Sequence, residues 1–284
     1  MKLVRSLLVP FLARPIALAG LLLLLIVLLG AIFAPWIAPF DPDSMDPIIR
    51  LSPPGGAHWF GTDQYGRDTL SRVIYASRMA LLVGVGVVVF ALITGVPIGV
   101  LSALFPRLGQ VLMRLVDVLM AFPSLLLALG LIVILGPSVA NSILAVGFGF
   151  LTTTTRIVYG LTLRIRSETY VEAARSMGSR TLWLITKHVL PNLISPLLVQ
   201  ASFIFAFAQL AAASLDFLGL GAPPAIPSWG NMLAESRQFI TRAPWLLFFP
   251  GMMIVLTAFA LNIVGDSLRD RLDPRFREML RGEA

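Results

Sequence analysis

The polar residues of this chain offer little scope for catalysis. The 284 residues include no cysteine, which excludes disulfides and thiolate metal ligands. A bound nucleotide phosphate would need a glycine-rich loop ending in Gly-Lys-Ser/Thr, yet neither lysine, Lys2 or Lys187, follows glycine. Asp63 and Asp68 lack the Asp-x-Asp-x-Asp-Gly spacing of a calcium loop. We therefore predict no catalytic residue, no metal, no cofactor and no ATP site within this chain.

One short polar stretch has the pattern of a mechanical element. Residues 172–192 read EAARSMGSRTLWLITKHVLPN. The first residues favour a helix, Gly178 suits a left-handed C′ position, Ser179 can cap a second helix, and Pro191 follows its end. The pattern predicts two short helices that meet at a glycine.

Such short helices need support, because helices of this length are marginal alone in water. Ala173 and Ala174 would leave a low surface that another protein could cover, and Glu172 and Arg175 could fix its orientation by charge. A solvated loop helix packed only on the spans of its own chain is the alternative that these residues leave open.

The rest of the chain is typical of a membrane protein. It is 57% hydrophobic and 13% charged, with a mean hydropathy of +0.87. Crossing a bilayer takes roughly 20 apolar residues, and five runs free of charge are long enough: 16–40, 79–105, 118–155, 189–215 and 243–264. The third run is interrupted at Gly136-Pro137-Ser138, where proline cannot continue a helix. We predict an all-α membrane protein with six transmembrane helices.

Charge sets the predicted orientation. Most of the 22 lysine and arginine residues fall on the side that carries both termini and the 172–192 stretch, so we predict that both termini are cytoplasmic. Membrane topology and lipid headgroups account for the basic excess, and no nucleic-acid partner is expected. His58 and His188 are then predicted on opposite membrane faces, which argues against a shared metal site.

Other polar residues lie close to the predicted spans. Thr62 or Asp63 is predicted to cap an interfacial helix that leads into the second span. Asp117, Arg156 and Asp216 are placed at span margins. Small residues predict a fifth span buried among helices. In that span Gln200 and Gln209 are candidates for lining a polar pathway, although an interhelical hydrogen bond is the commoner arrangement.

The 172–192 stretch resembles the EAA signature of ABC importer permeases. The matching residues are Glu172, Ala173, Ala174, Gly178, His188, Leu190 and Pro191. Residues 58–72, 116–129, 214–233 and 265–275 resemble the permeases of dipeptide, oligopeptide and nickel importers, in their second, "C"-type form. The resemblance implies a type I ABC importer permease fold in the bacterial cytoplasmic (inner) membrane.

The resemblance also implies partners and a division of labour. It implies a homologous second permease subunit, two ATP-binding subunits that hydrolyse ATP, and an extracytoplasmic substrate-binding protein. The coupling site comprises Glu172, Ala173, Ala174, Arg175, Gly178 and Ser179. The implied cargo is a dipeptide or oligopeptide, with nickel, metal chelates or glutathione as alternatives. An ion-driven carrier and a membrane scaffold that does not transport are remote alternatives.

The predicted division of the chain has three parts. Residues 1–78 hold the N-terminal segment, first span and outer loop. Residues 79–270 form the permease core with the cytoplasmic coupling loop 164–192, and residues 271–284 form a basic cytoplasmic tail.

Overall fold

The computed structural model describes residues 15–272, and within that range the regular structure is helical. The α-helices, numbered along this range, are α1 Pro15–Ile32, α2 Ala34–Ile37, α3 Thr69–Leu104, α4 Pro106–Met120, α5 Ser124–Leu135, α6 Val139–Arg166, α7 Thr169–Ser176, α8 Thr181–Leu184, α9 Leu190–Phe217, α10 Trp229–Ser236 and α11 Trp245–Leu272. Lys2, Arg5, Arg14 and the predicted basic tail after residue 272 lie outside the described residues.

The apolar helices agree with six spans. Five helical stretches are long and apolar enough to cross a membrane, and α4 and α5 together form a sixth that is bent by 94°. The break predicted at Gly136-Pro137-Ser138 is confirmed, since α5 ends at Leu135 and α6 begins at Val139. The predicted boundary of the first unit, residue 78, falls inside helix α3, which runs without a break from Thr69 to Leu104. The orientation of the termini stays a prediction.

The third span differs from its predicted form. The sequence places it in an uninterrupted run from Val118, whereas the structure begins it at Pro106 and breaks it between Met120 and Ser124. Pro123 lies in this break and cannot donate a backbone hydrogen bond. Helix α5 has 12 residues, about 18 Å, so it needs α4 to complete the crossing.

Close helix packing organises the core. Helices α3 and α6 approach at glycines: a Cβ atom added at Gly99 would lie 2.8 Å from the Thr155 carbonyl oxygen. Helix α9 buries Ile204, Ala208 and Ala212 in the central apolar cluster. One face of the small-residue fifth span is therefore buried among helices, as predicted, and small side chains allow this approach. Its other face exposes Phe203, Phe207 and Leu210, so the span is only partly buried.

The loop before α3 corrects the predicted cap. Asp68, rather than Thr62 or Asp63, caps α3, and its Oδ2 atom accepts a 2.7 Å hydrogen bond from the Ser71 amide. Thr62 is occupied elsewhere, because its hydroxyl oxygen accepts a 2.9 Å hydrogen bond from the Ser52 amide. Asp63 accepts from the Arg67 amide at 3.0 Å. Helix α3 begins at Thr69, so Asp68, which directly precedes it, is the residue in position to cap it.

Candidate functional site

The short helix α7 ends in the glycine turn that its sequence predicts. Gly178 adopts a φ of +84°. Its amide donates to the Arg175 carbonyl at 3.0 Å, and the Ser179 amide donates to the Ala174 carbonyl at 3.2 Å. These two bonds define a Schellman motif with glycine at C′.

Ser179 does not cap the following helix. The residue before α8 is Arg180, and no side chain caps that helix. The Ser179 amide instead donates to the last turn of α7, so Ser179 stabilises the glycine turn and not the start of α8.

One face of α7 is held by the chain itself. Val171 and Ala174 are buried in an apolar cluster with Leu184, Val189 and Leu193. Ala174 therefore supports α7 from behind, and the low surface that we expected of both alanines is left to Ala173, which is exposed.

The exposed side of α7 carries two charged groups that have no ion-pair partner among the described side chains. Glu172 and Arg175 are exposed, and neither forms an ion pair with any side chain that the structure describes. Met177 and Leu182 nearby expose 82% and 71% of their surfaces. Charge beside exposed apolar side chains is typical of a surface that another protein covers.

A cavity of about 380 Å³ lies beside α7. Its polar lining comprises Arg166, Ser167, Glu172, Arg175, Ser179 and Thr181. Arg166 also donates to the Ala103 carbonyl at 3.1 Å, which places the cavity at the ends of α3 and α6. The site can therefore accept charged and hydrogen-bonding side chains from a partner.

A widened turn joins α8 to α9. Residues Ile185–Val189 form a π-helical turn, in which the Leu190 amide donates to the Ile185 carbonyl. Pro191 lacks an amide hydrogen, and its ring would clash with the carbonyl four residues before it. The wide turn relieves that clash, and such turns often mark functional positions.

This turn attaches α7 to the long helix α9. The His188 ring lies 5.4 Å from the Tyr170 ring and 4.9 Å from the Trp183 ring. Asn192 donates to the His188 carbonyl at 2.6 Å and to the Tyr170 hydroxyl at 3.3 Å. The contacts of Tyr170 and Asn192 were not predicted from the sequence, although the asparagine directly follows the Leu-Pro of the signature.

The two glutamine candidates lie in α9. Gln209 is buried, and its Nε2 atom donates to the Ala80 carbonyl of α3, which is the interhelical hydrogen bond favoured from sequence. Gln200 is half buried, and its Nε2 atom has no hydrogen-bond partner among the described residues.

A second polar cluster, which the sequence did not predict, lies at the other end of the spans. Arg67 contacts Asp63 at 2.6 Å and Glu235 at 2.8 Å. Arg72, with its side chain only 1% exposed, lies 3.9 Å from both of these carboxylates. We call Asp63, Arg67, Arg72 and Glu235 the loop cluster. The loop cluster joins the loop before α3 to α10. The only signal for it in the sequence was the motif at residues 58–72, which contains Asp63, Arg67 and Arg72.

The described residues offer no other evident chemistry. Within 15–272, no group of three histidine, aspartate or glutamate side chains could hold a metal ion. The arrangement of α7 is suited to contact and movement rather than to bond making.

Comparison with known proteins connects these features to transport. Residues 95–278 match the family described as "Binding-protein-dependent transport system inner membrane component", and residues 5–54 match "N-terminal TM domain of oligopeptide transport permease C". The dipeptide transport system permease of Escherichia coli K12 is 45% identical, covering 92% of this chain and 90% of that protein. A di/tripeptide transport system permease of Pseudomonas aeruginosa is 44% identical, covering 92% and 88%.

The fold also has a solved counterpart. An inward-facing structure of the MetNI methionine ABC transporter superposes with a TM-score of 0.61 at 18% identity. The match covers 72% of this chain and 97% of that one, so the two share a fold.

Proposed function

The chain belongs to the family of inner membrane components of binding-protein-dependent transport systems, and from that premise we propose that it forms half of the path of an ATP-driven peptide importer. It is a membrane permease subunit with a type I ABC importer fold. Peptide cargo is supported by the names of relatives that share 44–45% identity over most of the chain. Nickel, metal chelates and glutathione are the alternative cargoes.

Helix α7 is the proposed contact with an ATPase subunit. The observation that carries this assignment is the two-sided character of α7. Val171 and Ala174 fix its position from behind, while Glu172 and Arg175 stay exposed without ion pairs among the described residues. An eight-residue helix is marginal in isolation, so it must be held on its chain and can still present its other face to a partner.

The proposed partners are those that the permease family implies. Two ATP-binding subunits hydrolyse ATP, a homologous second permease completes the path, and an extracytoplasmic protein delivers the cargo. Closure of the ATPase subunits draws α7 and its counterpart in the second permease together. The hydrogen bonds of Asn192 to Tyr170 and His188, which we call the Asn192 bridge, transmit that movement to α9.

A cross-linking experiment tests the contact and the orientation together. The chain has no cysteine, so Met177→Cys gives one thiol beside α7 and Ile48→Cys, on a residue that is 92% exposed, gives a matched thiol in the opposite loop. We expect a short bifunctional thiol-to-amine reagent to join an ATPase subunit to this chain only in Met177→Cys. Cross-linking through Ile48→Cys alone would refute the proposal.

Reconstitution tests the cargo. We expect dipeptide uptake into vesicles only when ATP, both permeases, the ATPase subunits and the binding protein are present. Uptake by this chain alone, driven by an ion gradient, would instead support the secondary carrier.

A further inference from the structure

An ion pair lies on the exposed surface of the permease core. Arg156 of α6 contacts Asp117 of α4 through its Nη2 atom. In the single chain their side chains expose 44% and 50% of their surfaces. The two charges therefore neutralise each other but still face outward from the helix bundle.

The pair lies towards the α7 end of the spans, at the margin where the sequence placed both residues. Arg156 precedes the end of α6 at Arg166 by ten residues, about 15 Å along the helix. Its neighbour Thr155 is level with Gly99 of α3, and α3 continues to Leu104, about 7.5 Å further. Charged side chains of a span rarely face lipid, because exposure to hydrocarbon is costly; they face a protein interior, a water-filled cavity or the membrane surface.

The surrounding face of α6 also lacks the large apolar side chains of a lipid-facing surface. Gly149, Thr153, Arg156 and Gly160 follow the i, i+4, i+7 and i+11 positions of one helix face. A Cβ atom added at Gly160 would meet no heavy atom within 4 Å. By contrast, Ile134 of α5 and Val255 of α11, at 81% and 66% exposure, are the apolar side chains typical of a lipid-facing surface.

This face leads into a cleft between three helices. A Cβ atom at Gly149 would lie 3.3 Å from the Ser124 Cβ of α5. Ser124 in turn lines a cavity of about 180 Å³, together with Phe150 of α6 and Phe207 and Ser214 of α9. This cavity has Ser124 and Ser214 among mostly apolar side chains, and it extends the face from the ion pair towards the opposite end of the spans.

We propose that Thr153, Arg156 and Gly160 of α6, with Asp117 of α4, line the water-filled route of the cargo, and that the ion pair binds its charged groups. The proposal rests on the peptide importer function given above. A peptide carries an ammonium group and a carboxylate, which match Asp117 and Arg156. Charge-assisted hydrogen bonds to such groups are stronger than neutral ones. Neither Gln200 nor Gln209 is needed for this route.

Thiol labelling tests the route. Gly160→Cys and the matched control Val255→Cys each place the first thiol in this chain. The complete transporter is placed in lipid nanodiscs, a charged, membrane-impermeant thiol reagent is added, and the mass of this chain is followed. We expect Gly160→Cys to react about tenfold faster than Val255→Cys, or more, because the reagent does not enter hydrocarbon. Equal, slow labelling would overturn the route, since Gly160 would then face lipid or the second permease.

Charge variants test the contact with cargo. We expect Arg156→Gln to lower peptide uptake about tenfold, while binding-protein-stimulated ATP hydrolysis stays within about twofold of wild type. The double variant Asp117→Arg with Arg156→Asp retains an ion pair but reverses its direction, and we expect its uptake to stay low. Recovery of uptake in the double variant would show that the pair is only a clamp between α4 and α6, and would overturn the cargo contact.

Failure of the peptide-import proposal can be distinguished from failure of the route proposal. If the wild-type transporter hydrolyses ATP but imports no peptide, the peptide cargo is wrong. The labelling of Gly160→Cys does not depend on which cargo is carried, and so it judges the route alone.

Discussion

Charged residues are arranged in opposite ways at the two ends of the spans. In the loop cluster, Arg67 contacts two carboxylates and keeps only 5% of its side chain exposed. At α7, Glu172 and Arg175 are exposed and make no ion pair among the described side chains. The loop cluster completes its interactions inside one chain, whereas α7 leaves its charges to a partner.

The difference indicates what each region contributes. Buried ion pairs cost desolvation, and removing one partner leaves an uncompensated charge. The loop cluster should therefore govern the stability of this chain, since it joins segments more than 160 residues apart in sequence, Arg67 and Glu235. The charges on α7 should govern assembly and leave the stability of the chain nearly unchanged.

The largest effect is expected in the loop cluster. Arg67→Ala leaves Asp63 and Glu235 without their closest cation, and we expect a loss of about 3–5 kcal/mol in the free energy of unfolding. Thermal unfolding of the detergent-purified chain, followed by tryptophan fluorescence, measures it. Arg242→Ala, which removes an exposed arginine, is the matched control and should change stability by less than about 0.5 kcal/mol. Equal stabilities of the two variants would show that the cluster is not a structural element.

The next effect concerns the turn after α7. Gly178→Val places a β-branched residue at a φ of +84°, which costs about 1–2 kcal/mol. We expect a chain that still inserts but no longer couples peptide uptake to ATP hydrolysis. Steric crowding is not the cause of this expected loss, because a Cβ atom at Gly178 would have no heavy atom within 4 Å.

Asparagine separates backbone strain from other effects at this position. It tolerates the left-handed conformation better than valine, so we expect Gly178→Asn to retain most of the uptake and the stimulated ATPase activity. Full activity in Gly178→Val would contradict the role of the turn.

A smaller effect is expected from charge reversal on α7. Glu172→Lys should lower the amount of ATPase subunit that co-purifies with this chain severalfold, because a rim charge mainly alters association. Glu168→Lys makes the same change in net charge just before α7 and should have less effect. If both variants retain the ATPase subunits equally, Glu172 does not orient the contact.

Local features were predictable from sequence, and contacts between distant residues were not. The left-handed Gly178 follows from the residues on either side of it, and the break before Val139 follows from Gly136-Pro137. The cap of α3 was predicted five or six residues too early, because the polar residues before the helix do not show where its first turn begins. Helical periodicity alone also could not show that Ala174 faces its own chain while Ala173 faces outward.

The same limit explains why the loop cluster and the Asn192 bridge were missed. Glu235, which Arg67 contacts, and Tyr170, which Asn192 contacts, lie on other elements, and spacing along one segment gives no information about them. Periodicity does locate the spans themselves, because an apolar run of sufficient length can hardly be accommodated elsewhere than in a membrane.

The smallest expected effect tests the tie between α7 and α9. Asn192→Ala removes the hydrogen bonds to the His188 carbonyl and the Tyr170 hydroxyl, worth about 0.5–1.5 kcal/mol each. Asn262→Ala is a matched control, since Asn262 donates to the Ala258 carbonyl four residues before it, as Asn192 does to His188. If the bridge transmits movement, Asn192→Ala lowers the number of peptides imported per ATP hydrolysed while ATPase co-purification is retained. Asn262→Ala leaves both quantities unchanged. An equal ratio of uptake to hydrolysis in the two variants would mean that α7 moves α9 through the apolar contacts of Val171 and Ala174 alone.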